Sequence, residues 1–477
     1  VASIKKNFVF NALLSVSRVI FPLISFPYSS RILGPESIGA VNFVDSYTQY
    51  FCILAALGIP IYGVRQVAKL RDNPIDLQKL TSELIVINFI STLGWCVAYY
   101  LIAWWTGKLS ELPGLHILGS IYLLLYTFPV EWFFQGTENF GYITVRSLLL
   151  NVLSLGLLFI LVKTEQDVLW YYGITIVVFA MNGGINLIKL TRSVKLTLKN
   201  LEYKKHFRPL FFLFSSQIAI NVYVLLDKVI LGYLAENKYV GYYSTASKLT
   251  KILLTFIGAL AIVMVPQMAK AFDSNDMTKA RGLFKNSCEF VITISIPIVF
   301  GLFCLSDDLV GLISGAQFAP AANSMRILAP IILLIGLNNI FGMQVLIPKG
   351  RERLLFMSVT VGMFVSVALN FALIPFFMHN GAALATLATE FAVALVTGYY
   401  ALKELNERMD WLLIVKTILV CIPFYFIYKL MPAVPGWVRI ISTAVIAGVY
   451  YTAVQIWILK NRLWKDQYSK IINLVKK

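Results

Sequence analysis

The chain has 477 residues, 58% of them hydrophobic and 14% charged, against roughly 45–50% and about 25% in soluble globular domains. That composition excludes a water-soluble fold. A formal net charge of +17 would suit nucleic acid if the basic residues shared one accessible face, but they are dispersed between apolar blocks, so no nucleic-acid partner is expected.

From the amino end, Lys5 and Lys6 precede an apolar stretch in the manner of a signal peptide. Arg18 interrupts that stretch and no small-x-small cleavage site precedes the Pro22 to Pro27 segment, so it reads as the first membrane span. Windows of about 20 residues, the length that crosses ~30 Å of hydrocarbon as a helix, predict spans near 8–28, 40–62, 83–105, 113–134, 144–162, 168–188, 209–231, 242–265, 288–305, 326–347, 355–377, 381–402, 411–430 and 438–459. Leu84 to Gly107, Val168 to Ile188 and Ile440 to Leu459 contain no Asp, Glu, Lys or Arg at all. Trp104, Trp105, Trp170, Trp411 and Trp437 fall at span ends, where amphipathic rings prefer the headgroup layer. Five cysteines without paired spacing and three histidines far apart in sequence predict neither a disulfide framework nor a metal site.

Alternate connections carry very different charge. One set, with both termini, holds 29 Lys and Arg, and the opposite set holds six. The positive-inside rule therefore places both termini in the cytoplasm. The tail, 460–477, puts Leu463, Trp464, Tyr468, Ile471, Ile472 and Val475 on one helical face among lysines, as an amphipathic helix on anionic membrane lipid would.

The sequence repeats at an offset of about 200 residues. Ile32-Leu33-Gly34, Gly39 and Gln66-Val67-Ala68-Lys69 return as Ile230-Leu231-Gly232, Gly241 and Gln267-Met268-Ala269-Lys270, and Lys79/Glu83 and Gly136/Glu138 return as Lys285/Glu289 and Gly350/Glu352. Six spans per repeat, an even number, make the repeats parallel. The expectation is an all-α polytopic membrane protein of about fourteen transmembrane helices: two pseudo-symmetric six-helix lobes over 1–200 and 201–405, two C-terminal helices within 406–459, and the tail.

Ionisable residues inside spans need a partner or a wet cavity. In span 1, Asn11, Ser15, Arg18, Pro22 and Ser25 share one helical face, as do Gln217, Asn221 and Lys228 in span 7 and Ser244, Lys248, Lys251 and Thr255 in span 8. Arg18, Lys228, Lys248 and Lys251 are the candidate cationic lining of a cavity. Asn11, Asn42, Asp45, Glu131, Asn221, Asp227 and Glu390 are the candidate polar lining or ion-coupling residues. An Asp45–Lys248 ion pair of purely structural purpose is the alternative for those two, and Glu131 and Arg326 also fit a structural or snorkelling role near span ends. The chain contains no phosphate-binding loop, no His-Glu-x-x-His and no supported Ser-His-Asp arrangement, so neither catalysis nor a cofactor is expected.

Phe26-Pro27-Tyr28-Ser29-Ser30-Arg31-Ile32-Leu33-Gly34-Pro35-Glu36-Ser37-Ile38-Gly39, Gly58-Ile59-Pro60-Ile61-Tyr62-Gly63-Val64-Arg65, Glu131-Trp132-Phe133-Phe134-Gln135-Gly136, Asp227-Lys228 and Met325-Arg326-Ile327-Leu328-Ala329-Pro330 resemble the O-antigen and polysaccharide flippases of Wzx type. Their superfamily also holds multidrug exporters and lipid II flippases. The resemblance covers about the first 400 residues. It implies a bacterial inner-membrane location, a two-lobed fold working by alternating access, and an undecaprenyl-pyrophosphate-linked oligosaccharide as substrate, for O-antigen, capsule or exopolysaccharide assembly. A polysaccharide polymerase and a chain-length regulator are the implied protein partners. The cationic residues would meet the pyrophosphate. A multidrug or organic-cation antiporter of the same superfamily is the competing expectation, although it would call for an acidic cavity where span 1 carries Arg18. A non-transporting scaffold for glycan assembly is a third.

Overall fold

In hydrocarbon every backbone N–H and C=O must be satisfied within the protein, and runs of Leu, Ile, Val and Phe as long as these do so as helices. The computed structural model describes residues 4–432, 434–461 and 464–465, and side chains for all of these except 4–9, 11, 12, 212, 213, 215–224, 256 and 259–263. Among the described residues the regular structure is entirely helical. The chain divides into two compact units, Val1–Gly241 and Tyr242–Lys477.

The first unit contains α1 (Ile4–Ala56), α2 (Ile59–Leu70), α3 (Pro74–Trp105), α4 (Lys108–Glu111), α5 (Pro113–Leu125), α6 (Glu131–Gly136), α7 (Phe140–Leu161), α8 (Val168–Ser193) and α9 (Lys204–Leu234). At 53 residues and ~1.5 Å per residue, α1 is far longer than one crossing needs. Gly34, at φ 71° and ψ 174°, breaks it between the two predicted spans. Helix α1 packs on α3, α5, α7 and α9, burying Phe43, Tyr47 and Tyr99.

The repeat-related glycines meet in this unit. A Cβ on Gly39 would lie 1.8 Å from the Asn237 carbonyl oxygen and 2.8 Å from the Gly241 nitrogen, and one on Gly241 would lie 2.2 Å from the Pro35 carbonyl oxygen. Only a missing side chain allows two backbones to approach so closely.

The second unit holds the remainder of α10 (Asn237–Asp273), then α11 (Met277–Ser314), α12 (Ala321–Leu328), α13 (Ile331–Asn338), a π-helical stretch at Asn339–Leu346, α14 (Glu352–Leu405), α15 (Trp411–Cys421), α16 (Pro423–Leu430), α17 (Gly436–Ala453) and a π turn at Val454–Ile458. The 54 residues of α14 also exceed one crossing, and Met378 (φ 49°, ψ −126°) interrupts them between the predicted spans at 355–377 and 381–402. Helix α11 forms the centre, touching α12, α13, α15 and α17.

Among the described residues eight helices are long and apolar enough to span a bilayer, or nine with the bent pair α1 and α2 counted as one. Their outer surfaces carry Trp104, Trp105, Phe364, Phe376, Leu430 and Val449, all more than half exposed. That is the exterior of a protein whose solvent is lipid.

The predicted continuous spans at 113–134 and 326–347 are both interrupted. In the first, Pro129 supplies no N–H and biases the residue before it away from the helix, so five residues, Tyr126 to Val130, separate α5 from α6. In the second, Pro330 ends α12 and the backbone continues into the π-helical stretch.

Candidate functional site

The break in the fourth span organises a polar site in the first unit. Val130 is buried in the left-handed region, at φ 38° and ψ 34°, a strained setting for a β-branched residue. Neighbouring helices hold it there. Asn186 of α8 donates its amide to the Pro129 carbonyl, and Thr92 of α3 bonds Thr127 at 3.1 Å. Gly183 lets α8 approach so closely that a Cβ there would lie 3.1 Å from Cβ of Phe128.

Glu131 begins the helix that resumes after the break. Its Oε1 lies 2.5 Å from Arg146 Nη2; the Arg146 side chain is 3% exposed and that of Glu131 is 32% exposed. Arg146 also donates to Asn186 Oδ1, which accepts from the Tyr142 hydroxyl at 2.8 Å, and Lys189 stands 3.5 Å over the Tyr142 ring. A buried guanidinium needs charge and hydrogen-bond partners on several sides; this arrangement supplies them at Nη1 and Nη2, while Nε has no hydrogen-bond partner among the described residues. Beside it lies a cavity of about 270 Å³ lined by Asn88, Tyr126, Thr127, Glu131, Gln135 and Asn182 among others.

A second polar knot ties the segment before α9 to α3. Glu83 is fully buried. It accepts from the Glu202 backbone N–H at 2.7 Å, meets His206 Nε2 at 2.8 Å and Lys205 Nζ at 3.1 Å, while His206 Nδ1 is 2.8 Å from the Tyr62 hydroxyl. One neutral tautomer satisfies the ring: Nε2–H donates to Glu83 and Nδ1 accepts from Tyr62.

In the second unit, Asn338, the last residue of α13, donates to Glu390 Oε2 at 3.1 Å and accepts from the Thr397 hydroxyl at 3.0 Å. Asp308 accepts from Arg439 and, at 3.1 Å, from Tyr428. An apolar cleft of about 530 Å³ lies between α11 and α17, with Pro297, Leu305, Phe424 and Ala447 on its walls.

The remaining sequence-predicted residues are placed as follows. Arg18 is exposed on α1. Asp45 is half-buried on α1. The Asn42 amide donates to the Ile38 carbonyl of its own helix at 2.7 Å. Asp227 is buried and Lys228 half-buried on α9, while Lys248 and Lys251 are half-buried on α10. The side chains of Asn11 and Asn221 lie outside the described residues. Asn88, Asn182, Asn186 and His206 are not among the sequence-predicted site residues, and Arg146 entered there only as a loop charge. The signal was available for the amides: each stands in an otherwise apolar span, and Asn182 and Asn186 are one helical turn apart.

The chain matches the model of the polysaccharide biosynthesis protein family over residues 4–272, more than half its length. It belongs to that family. Residues 213–372 also match the MatE family model. A protein of Escherichia coli K12 named "Putative O-antigen transporter" is 25% identical over 423 residues, covering 85% of this chain and 98% of the relative. A protein of Haloferax volcanii named "Probable low-salt glycan biosynthesis flippase Agl15" is 25% identical over 266 residues, 54% of this chain and 55% of that protein. The fold is similar to that of a lipid II flippase, MurJ, in an inward closed conformation, with a TM-score of 0.73 at 13% identity, covering 95% of this chain and all of the other. The family member described here is thus a multi-pass, all-helical membrane protein of the flippase and transporter class.

Proposed function

We infer that this family member flips an undecaprenyl-pyrophosphate-linked oligosaccharide repeat unit across the bacterial inner membrane by alternating access, without catalytic chemistry of its own. The observation that carries the reading is the family match together with similarity along 98% of a relative named as an O-antigen transporter. The physical problem fits the chain. Each CH₂ withdrawn from lipid costs ~0.8 kcal/mol, so the polyprenyl tail stays in an apolar setting, and the cleft beside α11 and α17 offers one. The glycan head needs polar groups within the membrane, and the interrupted fourth span of the first unit supplies them. The pyrophosphate needs cations, a role we assign to Arg18, Lys228, Lys248 and Lys251. Both termini are cytoplasmic in this reading, following the 29-to-6 charge split.

The test is glycan export in cells lacking the chromosomal copy. Charge-assisted contacts to an anion in a partly dehydrated site are worth about tenfold each, so replacing Arg18, Lys228 and Lys251 together by Ala should reduce export by far more than tenfold. Arg18→Lys should retain more activity than Arg18→Gln. Normal export by the triple variant, at wild-type protein level, would refute the assignment of these cations.

A further inference from the structure

The cavity beside the broken fourth span contains a group that the fold leaves unsatisfied. Asn88 is 7% exposed, and its carbonyl oxygen Oδ1 has no hydrogen-bond partner among the described residues. It stands on α3 in a membrane-spanning segment, where an unmet polar group is most costly. The residue lines the cavity together with the amides of Gln135 and Asn182 and the Glu131 carboxylate. On another wall Tyr126 and Phe179 stand with near-parallel rings, 14° apart and 6.1 Å between centroids.

Three properties define what would fill it. Size is the first: about 270 Å³, at ~30 Å³ per water, holds roughly nine waters or one small polar molecule. Charge is the second. Arg146, almost fully buried, already neutralises Glu131, so a cation entering would have to displace a guanidinium and an anion would face the carboxylate. An uncharged ligand meets neither penalty. Third, the wall is mixed: amide and carboxylate groups accept and donate hydrogen bonds at several points, while the aromatic pair offers an apolar face. A neutral sugar ring has this pattern, with hydroxyls around its edge and C–H groups on its faces.

We propose that this cavity is a saccharide subsite that holds one neutral sugar ring of the transported glycan, with the Asn88 amide, whose Oδ1 is closed off from the cavity, rotating to bond a sugar hydroxyl. Gln135 and Asn182 supply further hydrogen bonds. The identity of the ring's source rests on the flippase reading; the binding of a sugar does not. Ile59 and Pro60, on the cavity wall, begin α2, the helix that carries Arg65 and Lys69.

The experiment uses the full chain in lipid nanodiscs and four free monosaccharides at millimolar concentration: glucose, galactose, rhamnose and N-acetylglucosamine. Binding is read by saturation-transfer NMR. At least one sugar should bind saturably, with affinity at least tenfold weaker in Asn88→Leu and weakened also in Gln135→Ala, which changes a half-buried side chain at little risk to folding. Because Asn88→Leu removes an unsatisfied carbonyl from an apolar helix, its thermal stability should equal or exceed wild type; a marked loss of stability would show a packing role and overturn the proposal. Absence of saturable binding by every sugar, or binding indifferent to Asn88→Leu, would also overturn it, as would saturable sodium binding abolished by Asn88→Leu without any sugar binding. Translocation of lipid-linked oligosaccharide in proteoliposomes separates the two readings. Translocation that persists without sugar binding refutes the subsite and leaves the flippase standing, whereas Asn88-dependent sugar binding without translocation supports the subsite and refutes the flippase.

Discussion

Glu83→Ala is the sharpest test of how the first unit is held together. The carboxylate is fully buried and accepts from His206 Nε2–H at 2.8 Å, which has no water to turn to, and from the Glu202 backbone N–H at 2.7 Å. Lys205, 46% exposed, loses little because solvent already serves it. Each orphaned buried donor costs about 1–3 kcal/mol, so the substitution should destabilise by about 2–4 kcal/mol, the Glu202 N–H lying nearer the surface. For a cooperative unit of this size about 2–4 °C accompany each kcal/mol, giving a fall of at least ~4 °C. The assay is a thiol-reactive dye in detergent solution, since all five cysteines are free and buried and become reactive only on unfolding. Glu83→Gln, which keeps one acceptor oxygen, should fall between Ala and wild type. Tyr62→Phe, which leaves His206 Nδ1 without its 2.8 Å partner, should cost about 1 kcal/mol. A Glu83→Ala protein that melts within ~1 °C of wild type would show that this buried network does not hold the first unit together.

Glu131→Ala leaves the Arg146 charge buried and unpaired and should destabilise by about 3 kcal/mol or more, whereas Arg146→Met, which leaves a one-third exposed carboxylate that water can reach, should cost less, and the pair replaced together should recover most of the loss. Gly39→Ala places a Cβ 1.8 Å from the Asn237 carbonyl oxygen and should lower stability by about 1–3 kcal/mol or prevent accumulation; Gly94→Ala, with open space around its Cβ, should raise it by up to ~1 kcal/mol. Single cysteines at Ser193 and Asn237 should react with impermeant reagent from the cytoplasmic and the outer side respectively, against the silent background of buried native thiols; labelling of both from one side would overturn the topology drawn from loop charge.

The helices were legible because lipid imposes a simple demand. A span must be apolar for about 20 residues and must satisfy its own backbone, so hydropathy alone separates the segments around Met378 that become the two arms of α14. The interruptions were harder to read, although their chemical cause was present. Pro129 and Pro330 both lie inside windows that score as continuous spans, because hydropathy counts side chains and does not register a missing N–H. Proline is also tolerated inside membrane helices: Pro22 and Pro27 both lie within the first arm of α1. What separates Pro129 is the set of groups on other helices that receive the freed backbone, with Asn186 meeting its carbonyl, and that pairing joins positions 57 residues apart.

The same limit governs the polar residues. Helical spacing finds faces along one helix, and it groups Ser244, Lys248 and Lys251 on one stripe of α10. It does not say whether a side chain on such a face is used locally. Asn42 stood with Asp45 among the candidate polar lining residues, yet its amide is spent on the Ile38 carbonyl four residues back. Conversely Glu83 attracted notice only as a repeat marker, and His206, 123 residues away, only as an isolated histidine; their pairing depends on α2, α3 and the start of α9 converging, which no one-dimensional pattern encodes. Asn88 is the informative case between these extremes. An amide in an apolar span has a partner, a ligand, or an unmet demand for one, and sequence cannot choose among them. The missing partner at Oδ1 removes the first possibility among the described residues, and the cavity that Asn88 lines leaves sugar binding to be decided by measurement.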